Sequence, residues 1–182
     1  IVNKDGKSCY QIYFRMASDI KIPKADWTPI GTETSYFSGH IDGNGKTLTV
    51  EKDGKSLLGY VREASVSNLN LFGERIDGYG LVENYVVDYA TKNPINITNV
   101  TIKEGTKIVK SGFIGGYASG QNQVYITNCK IEKGVTIGCD KDQDNIGGFA
   151  GEFNGIVINC VNEGDVYGKN FVGGIIADKG QC

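Results

Sequence analysis

The chain has 182 residues, with 19 Lys and Arg against 21 Asp and Glu, a formal net charge of −2, and 40% hydrophobic residues. That balance excludes a basic surface built for nucleic acid and an acidic disordered tail, and it leaves enough apolar side chain for a core. Glycine at 26 against three prolines describes many turns rather than a stiff or flexible linker, and no apolar run approaches the length of about 18 residues that would suggest a membrane span.

Residues 1–46 differ from the rest and read as opening coils or a cap. Trp27-Thr28-Pro29-Ile30-Gly31 is followed by Phe37-Ser38-Gly39-His40-Ile41, and then by Asp42-Gly43-Asn44-Gly45-Lys46, a tight turn before a strand because Asp-Gly and Asn-Gly supply positive φ. From residue 47 to 182 the chain repeats itself. Ser67-Asn68-Leu69-Asn70-Leu71, Thr98-Asn99-Val100-Thr101-Ile102, Thr127-Asn128-Cys129-Lys130-Ile131 and Ile158-Asn159-Cys160-Val161 place Asn68, Asn99, Asn128 and Asn159 about 30 residues apart. Each copy offers three short runs of strand formers bounded by glycine: 97–102, 106–109 and 113–117, then 125–131, 135–137 and 146–150, then 156–161, 165–167 and 171–176. None carries the 3.6-residue period of a helix. Gly73, Gly105, Gly134 and Gly164 recur after the asparagines as corners that call for positive φ. The expectation is a single all-β domain over 1–182, a right-handed parallel β-helix (a solenoid) with about three short strands per coil of about 30 residues. Leu69, Val100, Cys129 and Cys160 should stack inward in one ladder, and the repeated asparagines should serve as structure, bonding the backbone of the neighbouring coil.

The run Tyr13…Asp19-Ile20-Lys21-Ile22, then Trp27-x-Pro29-Ile30-Gly31, then Phe37-x-Gly39-x-Ile41-Asp42-Gly43-Asn44-Gly45-x-Thr47 resembles the opening of a bacterial surface β-helix. Ile146-Gly147-Gly148-Phe149-Ala150-Gly151 and Phe171-Val172-Gly173-Gly174-Ile175 resemble the GLUG-type glycine repeats that follow such openings. Proteins of this kind include bacterial adhesin-like proteins and the regions beside the catalytic part of IgA-specific zinc metallopeptidases. The resemblance covers about residues 10–176 and implies an extracellular or cell-surface location and contact with a glycan or host protein. The protease chemistry does not carry over, because the chain holds no HExxH motif.

Candidates for chemistry are few. His40 is the only histidine, so neither a Ser-His-Asp nor a Cys-His pair can be argued from it, and the expected state is a solvated or locally bonded imidazole. Asp140, Asp142 and Asp144 alternate in a loop longer than its counterpart in the preceding coil. Such carboxylates either converge on one calcium ion or form a solvated acidic loop; no other cofactor is indicated. The connection 85–94 is also longer than its counterparts, and Tyr85 and Tyr89 either contact a glycan or protein partner or pack over the solenoid edge. Five cysteines at 9, 129, 139, 160 and 182 include no CxxC. Cys129 and Cys160, one coil apart, fall within the Cα range of a disulfide, yet in-register parallel geometry favours two buried thiols. No constellation of acids and bases marks an enzyme. The chain reads as a non-catalytic surface module for adhesion or display, set among flanking domains of a longer protein. An accessory domain of a secreted protease or carbohydrate-active β-helix enzyme, and a structural stalk, are the alternatives.

Overall fold

In the computed structural model, which describes residues 12–24, 27–87, 91–115 and 123–179, the chain is a parallel β-solenoid of about five turns. The described residues contain no helix, and every ladder between strands is parallel. The first side of the stack pairs Tyr13–Arg15, His40–Asp42, Ser65–Gly73, Ile95–Ile102, Val124–Thr127 and Ile156–Ile158 in sequence. Register puts Phe14, Ile41, Val66, Ile97, Ile126 and Val157 in one inward column. Beyond the asparagine corner a second column runs Ile20, Leu48, Leu71, Ile102, Ile131 and Asn162. A third side carries Lys107–Ile108, Thr136–Ile137 and Asp165–Val166. The last returns through Leu58–Val61, Val82–Tyr85, Ala150–Phe153 and Ile176–Lys179, with Ile30, Leu58, Val82, Ile114, Ala150 and Ile176 in one column.

The period-2 alternation decides which residues turn inward. In Ser65–Gly73 and Ile95–Ile102 the buried positions alternate until the asparagine, then resume on the far side of the bend. Strand is present in each expected run except 113–117, whose described residues carry only a bridge at Ile114; the first run is continuous through Asn99 but broken at 128–129 and 159–160, and the third is broken at 148–149 and 174–175. The interior is filled by Leu, Ile, Val and Phe columns whose middle members are almost wholly buried.

Asn68, Asn99, Asn128 and Asn159 hold φ of 53°, 55°, 54° and 51°. This left-handed region is where the side-chain amide of Asn is tolerated better than other L-residues. At Asn68 and Asn99 the expected bond to neighbouring backbone is replaced by side-chain bonds. Asn99 Nδ2 donates to Asn68 Oδ1 at 2.8 Å, and Asn68 Nδ2 donates to Asp42 Oδ1 at 3.0 Å. The left-handed turn swings these amides out of the sheet, so they meet each other along the stack axis. The Asn68 amide and the Asn44 N–H hold the Asp42 carboxyl below the usual carboxylate range. Replacing Asn99 by Ala should cost about 1–2 kcal/mol and replacing it by Gly much less, measured by urea unfolding; equal costs would show that the amide ladder, not the corner, is what matters. Among the corner glycines, Gly105 and Gly134 do take positive φ. Gly73 and Gly164 do not; they are constrained by close approach instead, a Cβ lying 2.5 Å from Ile76 Cγ1 at Gly73 and 2.9 Å from Val135 O at Gly164.

Cys129 and Cys160 fall in the inward column as expected, and both are free thiols. Cys129 is buried, while Cys160, in the last coil, is half-buried. Val100 N–H donates to Cys129 Sγ at 3.5 Å, and Cys129 N–H donates to Cys160 Sγ at 3.4 Å. Burial pushes the Cys129 thiol up to about 12. Its proton is held more tightly in the folded chain than in the unfolded one. Its contribution to stability is therefore intact below the ordinary thiol range and lost as pH rises from about 9 to about 12, with a slope near 1.4 kcal/mol per pH unit. Unfolding of wild type and Cys129→Val compared across that window should show this slope in the wild type only. Parallel pH profiles would refute it.

Candidate functional site

Next to the column of Ile30, Leu58, Val82, Ile114 and Ala150 runs another: Gly31, Gly59, Glu83, Gly115, Gly151 and Ala177. Glu83 is its one charged member, on the strand Val82–Tyr85. The side chain is half-buried, and burial lifts its carboxyl above the usual range against the pull of Lys55 and Lys110, with Asp77 adding to the rise. A group with a raised folded value stabilises the fold at acid pH and loses that contribution as pH climbs through the raised value. Glu83→Gln should therefore raise the melting temperature at neutral pH and leave it unchanged at acid pH; a loss at neutral pH would contradict this origin of the shift.

Tyr79 stands beside Glu83. Its ring fills the space left by Gly115, where a Cβ would lie 2.0 Å from the ring, and Lys110 Nζ lies 5.1 Å from its centroid. Two hollows share Tyr79 and Lys110. One, of about 380 Å³, is lined by Lys55, Asp77, Glu83 and Asn84. The other, of about 190 Å³, is lined by Gln143, Asp144, Asn145 and Glu152. Together they make an open polar groove across four coils, in which carboxylates, amides and ammonium groups surround one aromatic ring.

Tyr85 does not take part. It is 2% exposed and turns inward in the column of Phe37 and Val61. Its ring meets Phe153 edge-on at 6.3 Å, and its hydroxyl accepts Asn154 N–H at 3.3 Å. The expected ligand contact at Tyr85 is thus corrected to a core role: the strand Val82–Tyr85 breaks strict alternation and turns both of its ends inward, Tyr85 in register with Val61. Tyr89 lies outside the described residues, as do Cys9 and Cys182.

The acidic loop is drawn into the protein's own bonds. Asp140 pairs with Arg75 Nη2 at 2.7 Å, while Arg75 Nη1 pairs with Asp53 at 2.8 Å. Asp53 and Asp140 in turn raise the Arg75 guanidinium, and Arg75 holds Asp53 below the usual carboxylate range. Asp144 accepts from Asn170 N–H at 3.1 Å and Nδ2 at 2.9 Å. Asp142 is exposed, its N–H donating to Asp140 O at 2.8 Å. Binding calcium would require Asp140 and Asp144 to leave these separate partners. Among the described residues no group of three His, Cys, Asp or Glu is placed to hold a metal ion. His40 is locally bonded, with 2.7 Å between Nδ1 and Ser65 Oγ and the Tyr13 ring stacked at 4.4 Å.

Glu83 and Lys110 escaped sequence reasoning because unequal insertions separate Gly59, Glu83, Gly115 and Gly151, so the glycine column that exposes Glu83 as the exception cannot be aligned from spacing. No family model, curated protein or solved structure matches the chain. The fold and groove define its class: a parallel β-solenoid with a polar groove on one side.

Proposed function

We propose that the chain is a non-catalytic binding module of a bacterial surface protein, displaying the Glu83–Tyr79–Lys110 groove to a glycan. The observation that carries this reading is Glu83, a half-buried charge in a column otherwise of Gly and Ala, beside an aromatic ring and flanked by Asn84, Gln143 and Asn145. Sugar hydroxyls both donate and accept, and such a mixture of carboxylates, amides and ammonium groups satisfies them in both senses. The resemblance of the opening segment and glycine repeats to bacterial surface β-helices supports an extracellular setting and adhesion. On a glycan array the chain should bind a defined subset of sugars, and Glu83→Gln and Lys110→Ala should each weaken that binding about tenfold or more, the worth of a hydrogen bond to a charged group. Binding to no sugar, or binding indifferent to both substitutions, would leave a stalk as the better description.

A further inference from the structure

We propose that the groove takes a sugar bearing a free amino group, a hexosamine residue, whose ammonium seats against the Glu83 carboxylate; this names the ligand class of the glycan groove and rests on that reading. Glu83 lacks a partner of its own. Among the described residues it accepts no hydrogen bond and makes no ion pair; the influences on it are burial and the more distant charges of Lys55, Lys110 and Asp77. The other displaced carboxylates, Asp42, Glu51, Asp53 and Glu132, are all held down by hydrogen bonds or cations. The donors nearest to Glu83 are spent elsewhere. Its Oε1 lies 3.8 Å, and Ser56 Oγ 3.5 Å, from where a Gly78 Cβ would stand, yet the Ser56 hydroxyl donates to Tyr79 O at 2.5 Å. The Gly78 and Gly80 N–H groups donate to Ile76 O and Ser111 O. A half-buried carboxylate left without a donor favours a ligand that brings one.

Charge selects the donor. The two hollows hold four carboxylates, Asp77, Glu83, Asp144 and Glu152, against two ammonium groups, Lys55 and Lys110. Lys110 is drawn over the Tyr79 ring, and neither lysine reaches ion-pair distance of Glu83. This surplus repels an acidic sugar and attracts a cationic one. An ammonium supplies three N–H donors and the missing positive charge together, where a hydroxyl supplies one donor and no charge. Beyond Glu83, the amides of Asn84, Gln143 and Asn145 can donate to and accept from the hydroxyls of the same sugar or its neighbour.

Such a contact is linked to a proton. Glu83 receives an ammonium only when ionised, and burial keeps its proton on to a higher pH than usual. Binding therefore expels that proton, and affinity rises as pH climbs through the raised range of Glu83. It falls again once the pH is high enough to discharge the ligand amine. The charged and titratable groups facing Glu83 are Lys55 from the preceding coil, Asp77 and Tyr79 from the turn before its strand, and Lys110 from the following coil. Asp77 lies 3.9 Å from Arg75 Nη1, so its part in any pH dependence is separable by its own substitution.

Titration calorimetry of the full chain with short oligomers of glucosamine, N-acetylglucosamine, glucose and galacturonate tests the assignment. The glucosamine oligomer should bind at least about tenfold more tightly than its N-acetylated counterpart. Glu83→Gln should erase that preference, and circular dichroism melting checks that the variant folds. At mildly acid pH, heats in buffers of different ionisation enthalpy should report proton release on binding in the wild type and in Asp77→Asn, and none in Glu83→Gln. N-acetylglucosamine or glucose oligomers that bind as tightly as glucosamine, and are still weakened by Glu83→Gln, would leave the glycan groove standing and overturn the amine. Tightest binding to galacturonate would overturn it as well. Oligolysine that binds as tightly as the glucosamine oligomer would show a general cation site and overturn the assignment to a sugar. Proton release that survives Glu83→Gln would remove Glu83 as the receiving group. Binding to none of the sugars would sink both this inference and the glycan groove.

Discussion

Gly112→Ala is expected to destabilise the solenoid by about 3 kcal/mol or more, whereas Gly174→Ala, in the same column, should stay within about 0.5 kcal/mol of the wild type. Gly80, Gly112, Gly148 and Gly174 lie over one another. A Cβ on Gly112 would stand 2.0 Å from Gly148 O, and one on Gly80 or Gly148 would meet the carbonyl of the next coil at 1.9 or 2.1 Å. None of these three adopts positive φ, so the constraint is contact between coils rather than backbone conformation. Relieving it would move the backbones apart by over an ångström. The bond from Phe113 N–H to Phe149 O, now 2.9 Å, would open, and the apolar columns on either side would part with it. Gly174 has nothing within 4 Å of its Cβ position. Urea midpoints compared at constant slope measure the difference. If both variants behaved alike, close approach would not be what fixes the coil spacing.

The same glycines show what the sequence could and could not reveal. The asparagine echo is readable because the segment containing it is short and free of insertions, so Asn68, Asn99, Asn128 and Asn159 keep their spacing and place Leu69, Val100, Cys129 and Cys160 inward. The return side is harder. There the connections vary in length, and residues in one column, such as Leu57, Leu81, Phe113 and Phe149, fall at irregular intervals. Gly147-Gly148 and Gly173-Gly174 are legible as glycine repeats, but the equivalence of Gly148 and Gly174 to Gly112 and Gly80 rests on backbone pairing alone. Two functional expectations failed to locate the groove for related reasons. Tyr85 lies in a longer connection, yet a break in the alternation of Val82–Tyr85 turns it inward beside Val61, against what a period of two from Val82 would give. Asp140 is acidic and in an insertion, yet Arg75, 65 residues earlier, reaches it across the coils. Long-range partners of this kind are set by which coils stack, and composition carries no trace of them. Glu83, by contrast, is visible only as a departure from a column, so the column had to be known first.

Phe149→Ala should cost about 3–5 kcal/mol, the range for emptying a fully buried aromatic site. Phe149 and Phe113 are both completely buried, with ring centroids 4.9 Å apart and planes within 9°. Leu81 precedes them in the column and Ile175 follows. Neither neighbour can collapse into the gap easily, since close glycine contacts between coils hold the backbones at fixed spacing and the cavity persists. Phe149→Leu keeps most of the volume and should cost far less, because Leu81 shows that the column accepts leucine. Combining it with Phe113→Leu isolates the ring contact. A double-mutant cycle should return a coupling of about 0.5–1.5 kcal/mol between the two rings. A coupling near zero would mean that the stacked pair acts only as apolar volume, and that any side chain filling the two positions would hold these coils together equally well.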